Sequence, residues 1–151
     1  MTEIVQISFL ALIAVAAGVS VAIQQVFNAE LRLSIGSPLW AAFASYLVGA
    51  LSIAIVLLAM REPWLSATAI QKSSPSSWVG GLFGTIYIVI SILLLPRLGA
   101  VTLIALLVTG QMIGSIVFDH FGLFGLAQQR ADIPRLAGAL LMIAGVALIR
   151  R

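Results

Sequence analysis

Cysteine is absent from this sequence and histidine occurs once, so neither a disulfide framework nor a thiolate or histidine metal cluster can be assembled. Charge is scarce too: Asp, Glu, Lys and Arg together make up 9% of the chain, as five acids and eight bases. With so few acids, no Ser/His/Asp set, paired carboxylates or phosphate loop is available; the chain is expected not to be an enzyme and to carry no cofactor. Its formal net charge of +3 and pI near 10.2 would suggest nucleic acid in a soluble protein, but the bases are scattered singly without interleaved aromatics, so nucleic acid is not an expected partner. A basic n-region is missing as well. Met1, Thr2 and Glu3 lead directly into the apolar run Ile4 to Ile23, which reads as a retained first helix and not as a cleaved signal.

What the chain has in abundance is apolar side chain, 62% of residues with a mean hydropathy of +1.17. A soluble globule of this size could not cover that content with polar surface, so the sequence reads as an integral membrane protein with lipid as its first partner. The clearest span is Ala100 to Phe118, uncharged and about 28 Å long as a helix, close to the hydrocarbon thickness of a bilayer. Its residues do not alternate polar with apolar, which argues against a barrel strand. One amide, Gln111, lies inside it, flanked by Gly110 and Gly114.

Taken in order, the pattern predicts a single all-α transmembrane domain over residues 1–151, with helices at about 4–27, 38–60, 78–95, 100–118 and 133–149. Ser20, Gln24 and Asn28 recur every fourth residue and share one face of the first helix, and an amide in hydrocarbon needs a partner, so that face is expected to point inward. Asn28 to Ser37 reads as a short loop, after which Pro38 suits the first turn of the second helix, with Ala41, Ser45 and Gly49 as a small-residue stripe along it. Arg61 to Ser77 reads as an interfacial loop, with Ser74 as N-cap, Pro75 at the first helical position and Trp78 at headgroup level. On the third helix, Gly80 and Gly84 are spaced for close contact, and Tyr87 and Ser91 are four apart on one face. Pro96 to Gly99 leaves four residues for a turn, which predicts an antiparallel hairpin of the third and fourth helices. In the fifth helix Gly138 and Gly145 suit close approach of another backbone, and Arg150 and Arg151 reach for headgroups.

Ser20, Gln24, Asn28, Tyr87, Ser91 and Gln111 are therefore the candidate lining of a substrate cavity; the alternative is that the amides glue helices together, at about 0.6 kcal/mol per contact. Asp119 and His120 carry two readings, as interfacial residues that finish the fourth helix and order the turn after it, or as a coupling pair in which the histidine changes charge.

Several stretches together carry a family resemblance: Gln24 and Asn28 in the first helix, PSSWVGGLFG at Pro75 to Gly84, PRLGA at Pro96 to Ala100, Gly110 with Gln111, DHFGLFG at Asp119 to Gly125, and RLAGALLMIAGVALIR at Arg135 to Arg150. In order and spacing they resemble the small five-helix branch of the drug/metabolite transporter superfamily, bacterial inner-membrane proteins. The resemblance covers essentially the whole chain and implies a transporter-like fold in that membrane; it implies no particular substrate. The four-helix multidrug exporters of the same superfamily exchange protons for cationic drugs through a carboxylate embedded in the first helix. This first helix is expected to have none, with Glu3 at its start and Glu30 beyond its end, so that mechanism does not carry over.

Two function classes follow: a secondary transporter or exporter of small molecules, or a non-transporting subunit or regulatory partner of another membrane complex. Orientation favours a particular form of the first. With five spans, Arg61, Lys72, Arg130 and Arg135 fall on one side of the membrane and Arg32, Arg97, Arg150 and Arg151 on the other, four against four. Lys and Arg excess normally decides orientation, so this balance predicts insertion both ways and an antiparallel, dual-topology homodimer, with a site near the midplane lined twice by Gln24, Asn28 and Gln111.

Overall fold

A computed structural model describes residues 2–149, with side chains from residue 6 onward; Arg150 and Arg151, expected as headgroup anchors, lie outside the described residues. Among the described residues every regular element is helical: α1 (Thr2–Ile35), α2 (Pro38–Ala59), α3 (Ala67–Lys72), α4 (Gly80–Leu98), α5 (Ala100–Phe121) and α6 (Ile133–Ile149), with 3-10 turns at Pro75–Val79 and Leu123–Gly125. Four segments are long and apolar enough to cross a membrane: Gln6–Ile35, Pro38–Ala59, Pro75–Leu98 and Ala100–Phe121. Helix α6 is apolar but shorter.

The first helix departs most from expectation. It runs through the predicted loop at residues 28–37 and stops only at Ile35, because Ala29, Glu30, Leu31 and Arg32 favour the helix and Asn28 and Ala29 are buried. At 34 residues it is about 51 Å long, well over the roughly 30 Å of a hydrocarbon core. Glu30, expected beyond the helix, thus lies within it, exposed and two residues or about 200° around from Asn28. Gly36 ends α1: with φ at +72° it returns its N–H to the Arg32 carbonyl at 2.8 Å. Ser37 then caps α2, its hydroxyl accepting the Trp40 N–H at 3.3 Å, with Pro38 in the first turn. A two-residue connection folds α2 back alongside α1.

Other boundaries shift for local reasons. Helix α2 closes with the Glu62 N–H on the Leu57 carbonyl and the Arg61 N–H on that of Leu58, which places Arg61 at φ +53° where a glycine is usual. Ser74 takes the extended N-cap conformation ahead of Pro75, but its hydroxyl pairs with Ser76 and not with the backbone, and a 3-10 turn precedes α4. The Trp78 indole N–H donates to Ser73 at 2.8 Å. Pro96, expected in a turn, sits inside the last turn of α4, so Gly99 (φ +77°) is all that separates α4 from α5.

The chain forms two compact units, one ending at Pro96 and the next beginning at Arg97. In the first, Ala41 and Ala42 of α2 are buried with Ile88 and Ile92 of α4, and Leu31 of α1 packs against them. The small alanines of α2 leave room for these isoleucine side chains, and such packing holds helices together where lipid is as apolar as they are. Gly84 serves the same end: a Cβ there would meet the Tyr46 hydroxyl at 2.7 Å. In the second unit α5 packs on α6 in antiparallel fashion, the start of α5 near Met142 and Gly145 and its end near Arg135.

Candidate substrate site

A cleft of about 450 Å³ opens between α1 and α2, and three of the candidate residues, Ser20, Gln24 and Asn28, line it. Their spacing of four on α1 is what brings them to one wall; Ser45 and Gly49 of the α2 stripe form the other. Gln24 reaches across, its Nε2 donating to the Ser45 hydroxyl at 3.5 Å, a long bond that a better acceptor would displace. Ile23, Phe27 and Val48 make the remaining wall apolar.

Asn28 lies at the edge of this cleft and is 6% exposed, yet its Nδ2 has no hydrogen-bond partner. Leaving a buried donor unpaired costs about 1–3 kcal/mol. Beside it, Gln25 faces α4, donating from Nε2 to the Tyr87 hydroxyl at 2.6 Å and leaving its own Oε1 unpartnered. Ser91 is buried one turn along and donates back to the Tyr87 carbonyl at 2.7 Å. Tyr87 and Ser91 thus stand in the α1–α4 contact, while Ser20, Gln24 and Asn28 stand in the α1–α2 cleft. Gln111 is an exposed amide on α5, in the second unit.

Two residues absent from the candidate set prove important. Gln25 sits in sequence among the same amides, but nothing local announces its bond to a tyrosine 62 positions away. Arg32, read as a loop charge, donates from Nη1 to the Ile92 carbonyl at 3.1 Å. That carbonyl would normally accept from residue 96, and residue 96 is a proline without an N–H. Arg32 therefore supplies the donor that Pro96 removes, which lets α4 continue through the proline.

Asp119 and His120 lie in a different setting, at the closed end of the α5–α6 hairpin. The His120 Nδ1 accepts the Ala131 N–H at 3.1 Å, and its carbonyl accepts from Gln128 at 2.9 Å. The Asp119 carbonyl accepts the Gln129 N–H at 2.8 Å, its carboxylate lies 3.5 Å from Arg135, and Arg135 also donates to Gln129. Asp132 caps α6 through the Arg135 N–H at 3.0 Å. Gly122, at φ +59°, starts the turn; a Cβ there would press on Gln128 and Leu126 at 3.3 Å.

Long apolar helices packed through small residues, with amides turned into an uncharged cleft, define a multi-pass helical membrane protein. The chain belongs to the family described as "Putative inner membrane exporter, YdcZ", whose profile matches residues 9–148. It is also similar to the Inner membrane protein YdcZ of Escherichia coli (strain K12), at 28% identity over 139 residues covering 91% of each chain. Membership places it among multi-pass proteins of the inner membrane, in accord with the resemblance read from its motifs. No solved structure matches the chain.

Proposed function

We propose that the protein is a secondary exporter of small molecules, one transmembrane domain of five spans with α6 as the fifth, working as an antiparallel, dual-topology homodimer. The observation that carries this reading is the α1–α2 cleft, where Asn28, nearly buried on a wall shared with Ser20 and Gln24, has an amide nitrogen without a partner. The Gln25 Nε2 bonds across a helix contact to Tyr87, as an amide that joins helices does, whereas the Asn28 Nδ2 donates to nothing. The description of its family as exporters points the same way. The cleft has a volume in the range of small-molecule sites. Asp119 and His120 are read as loop-ordering groups, since each already holds backbone or side-chain partners.

The antiparallel arrangement rests on the equal count of positive charges by side. Fusing a cytoplasm-active and a periplasm-active reporter to the C-terminus tests it: both are expected to be active, and one added Lys on either side should bias the ratio. Activity of a single reporter, unmoved by added charge, overturns dual topology. Transport itself is tested by uptake and counterflow in proteoliposomes, where an empty-vesicle rate for every class of small molecule would leave the alternative, a non-transporting subunit, in its place.

A further inference from the structure

We infer that the α1–α2 cleft selects uncharged molecules, taking a small amphipathic solute whose polar end is a neutral hydrogen-bonding group such as a carboxamide; this names a substrate class for the exporter proposed above and rests on that reading. Every side chain that lines the cleft is uncharged. Its polar groups are two amides and two hydroxyls, Gln24 and Asn28 with Ser20 and Ser45, set beside Phe27 and Val48. The two charges nearest in sequence are both deployed elsewhere. Glu30 is exposed and about 200° around α1 from Asn28, and Arg32 donates to the Ile92 carbonyl of α4 at 3.1 Å. Neither lines the cleft.

Charge discriminates here through desolvation. An ion of either sign entering the cleft would leave water and meet no counter-charge, which is costly inside a membrane span. A hydrocarbon would enter without that cost but would leave the amides and hydroxyls unanswered. A neutral polar group avoids both penalties, because each amide and hydroxyl of the wall is able to donate and to accept, and a carboxamide does the same without a charge. The wall also has bonding capacity to give. Gln24 is exposed and holds Ser45 only by a bond of 3.5 Å, and Asn28, 6% exposed, has an Nδ2 that bonds nothing.

The test measures equilibrium binding of four labelled probes of similar shape, benzamide, benzoate, benzylammonium and toluene, to the full-length protein in lipid nanodiscs, with the signal of empty nanodiscs subtracted. Benzamide is expected to bind at least tenfold more tightly than each of the others. Because the Gln24 side chain is exposed, it accepts a charge with little demand on packing, and two variants there tie the preference to the cleft. Gln24→Glu is expected to raise benzylammonium affinity at least tenfold, and Gln24→Lys to do the same for benzoate, each at the expense of benzamide. Equal or tighter binding of benzoate, benzylammonium or toluene by the parent protein overturns the assignment to uncharged ligands and leaves the cleft as a site. Unchanged preferences in both charge variants overturn the cleft as the place of binding. Binding of none of the four overturns the assignment alone if counterflow of other small molecules persists in proteoliposomes, and the transporter reading with it if no class shows counterflow.

Discussion

The two units of this chain handle polar side chains in opposite ways. In the second, Asp119, His120, Gln128, Gln129, Asp132 and Arg135 gather at the loop end of the hairpin and bond one another or the backbone. In the first, Gln25 and Asn28 lie within a span, and each leaves one buried amide atom unpaired. Polar groups that satisfy one another are doing structural work at an interface, where water would otherwise serve; those left short inside a span carry a free-energy cost that folding alone does not explain. On the exporter reading proposed above, that contrast makes Asn28 the first residue to test for contact with a ligand.

The sharpest way to break the comparison is Asn28→Leu. It is expected to cut transport at least tenfold, while thermal stability is unchanged or higher because a donor short of a partner has been removed. A large loss of stability in this variant would show that Asn28 is structural after all. Smaller and of a different kind is Gly145→Leu. No atom of its own unit lies within 4 Å of a Cβ built at Gly145, so the substitution should leave the α5–α6 packing intact and disturb association between copies, read as a shift toward monomer in detergent before any change in substrate preference. An unchanged oligomeric state would remove α6 from the dimer contact. The smallest effect is expected at Asp119 and Arg135. Their pair is partly exposed, and a double-mutant cycle should return less than about 1 kcal/mol. Transport rates within twofold of the parent would keep them out of coupling, and a selective loss of pH dependence in Asp119→Asn would bring them back in.

Much of this is legible in the sequence. The spans follow from runs of apolar residues, and the convergence of Ser20, Gln24 and Asn28 on one wall follows from a spacing of four on a helix. The end of α1 was not legible because Asn28, Glu30, Arg32 and Ser34 look like loop composition, whereas their helical neighbours and the burial of Asn28 and Ala29 carry the helix to Ile35. Pro96 misled for a related reason. A proline three residues before Gly99 signals a turn, and only a donor 60 or more residues away, invisible to local pattern, keeps the helix going. Glycine spacing also overstated contact: Gly84 is closely approached by Tyr46, but a Cβ on Gly80 would meet nothing within 4 Å in its unit. Spacing says where backbones are able to meet, and the partner's side chains decide whether they do.

The bond between Arg32 and the Ile92 carbonyl joins residues 60 positions apart, and so imposes an order in time. At synthesis rates of about 5–20 residues per second, Arg32 emerges roughly 3–12 s before its partner exists. Through that interval a cation near the end of α1 has neither the carbonyl nor a counter-ion, and lipid headgroups and water are its available company. The bond that carries α4 through Pro96 therefore forms only when a helix made near the start of synthesis meets one made much later, so the last turn of α4 depends on an element that has long been waiting for it.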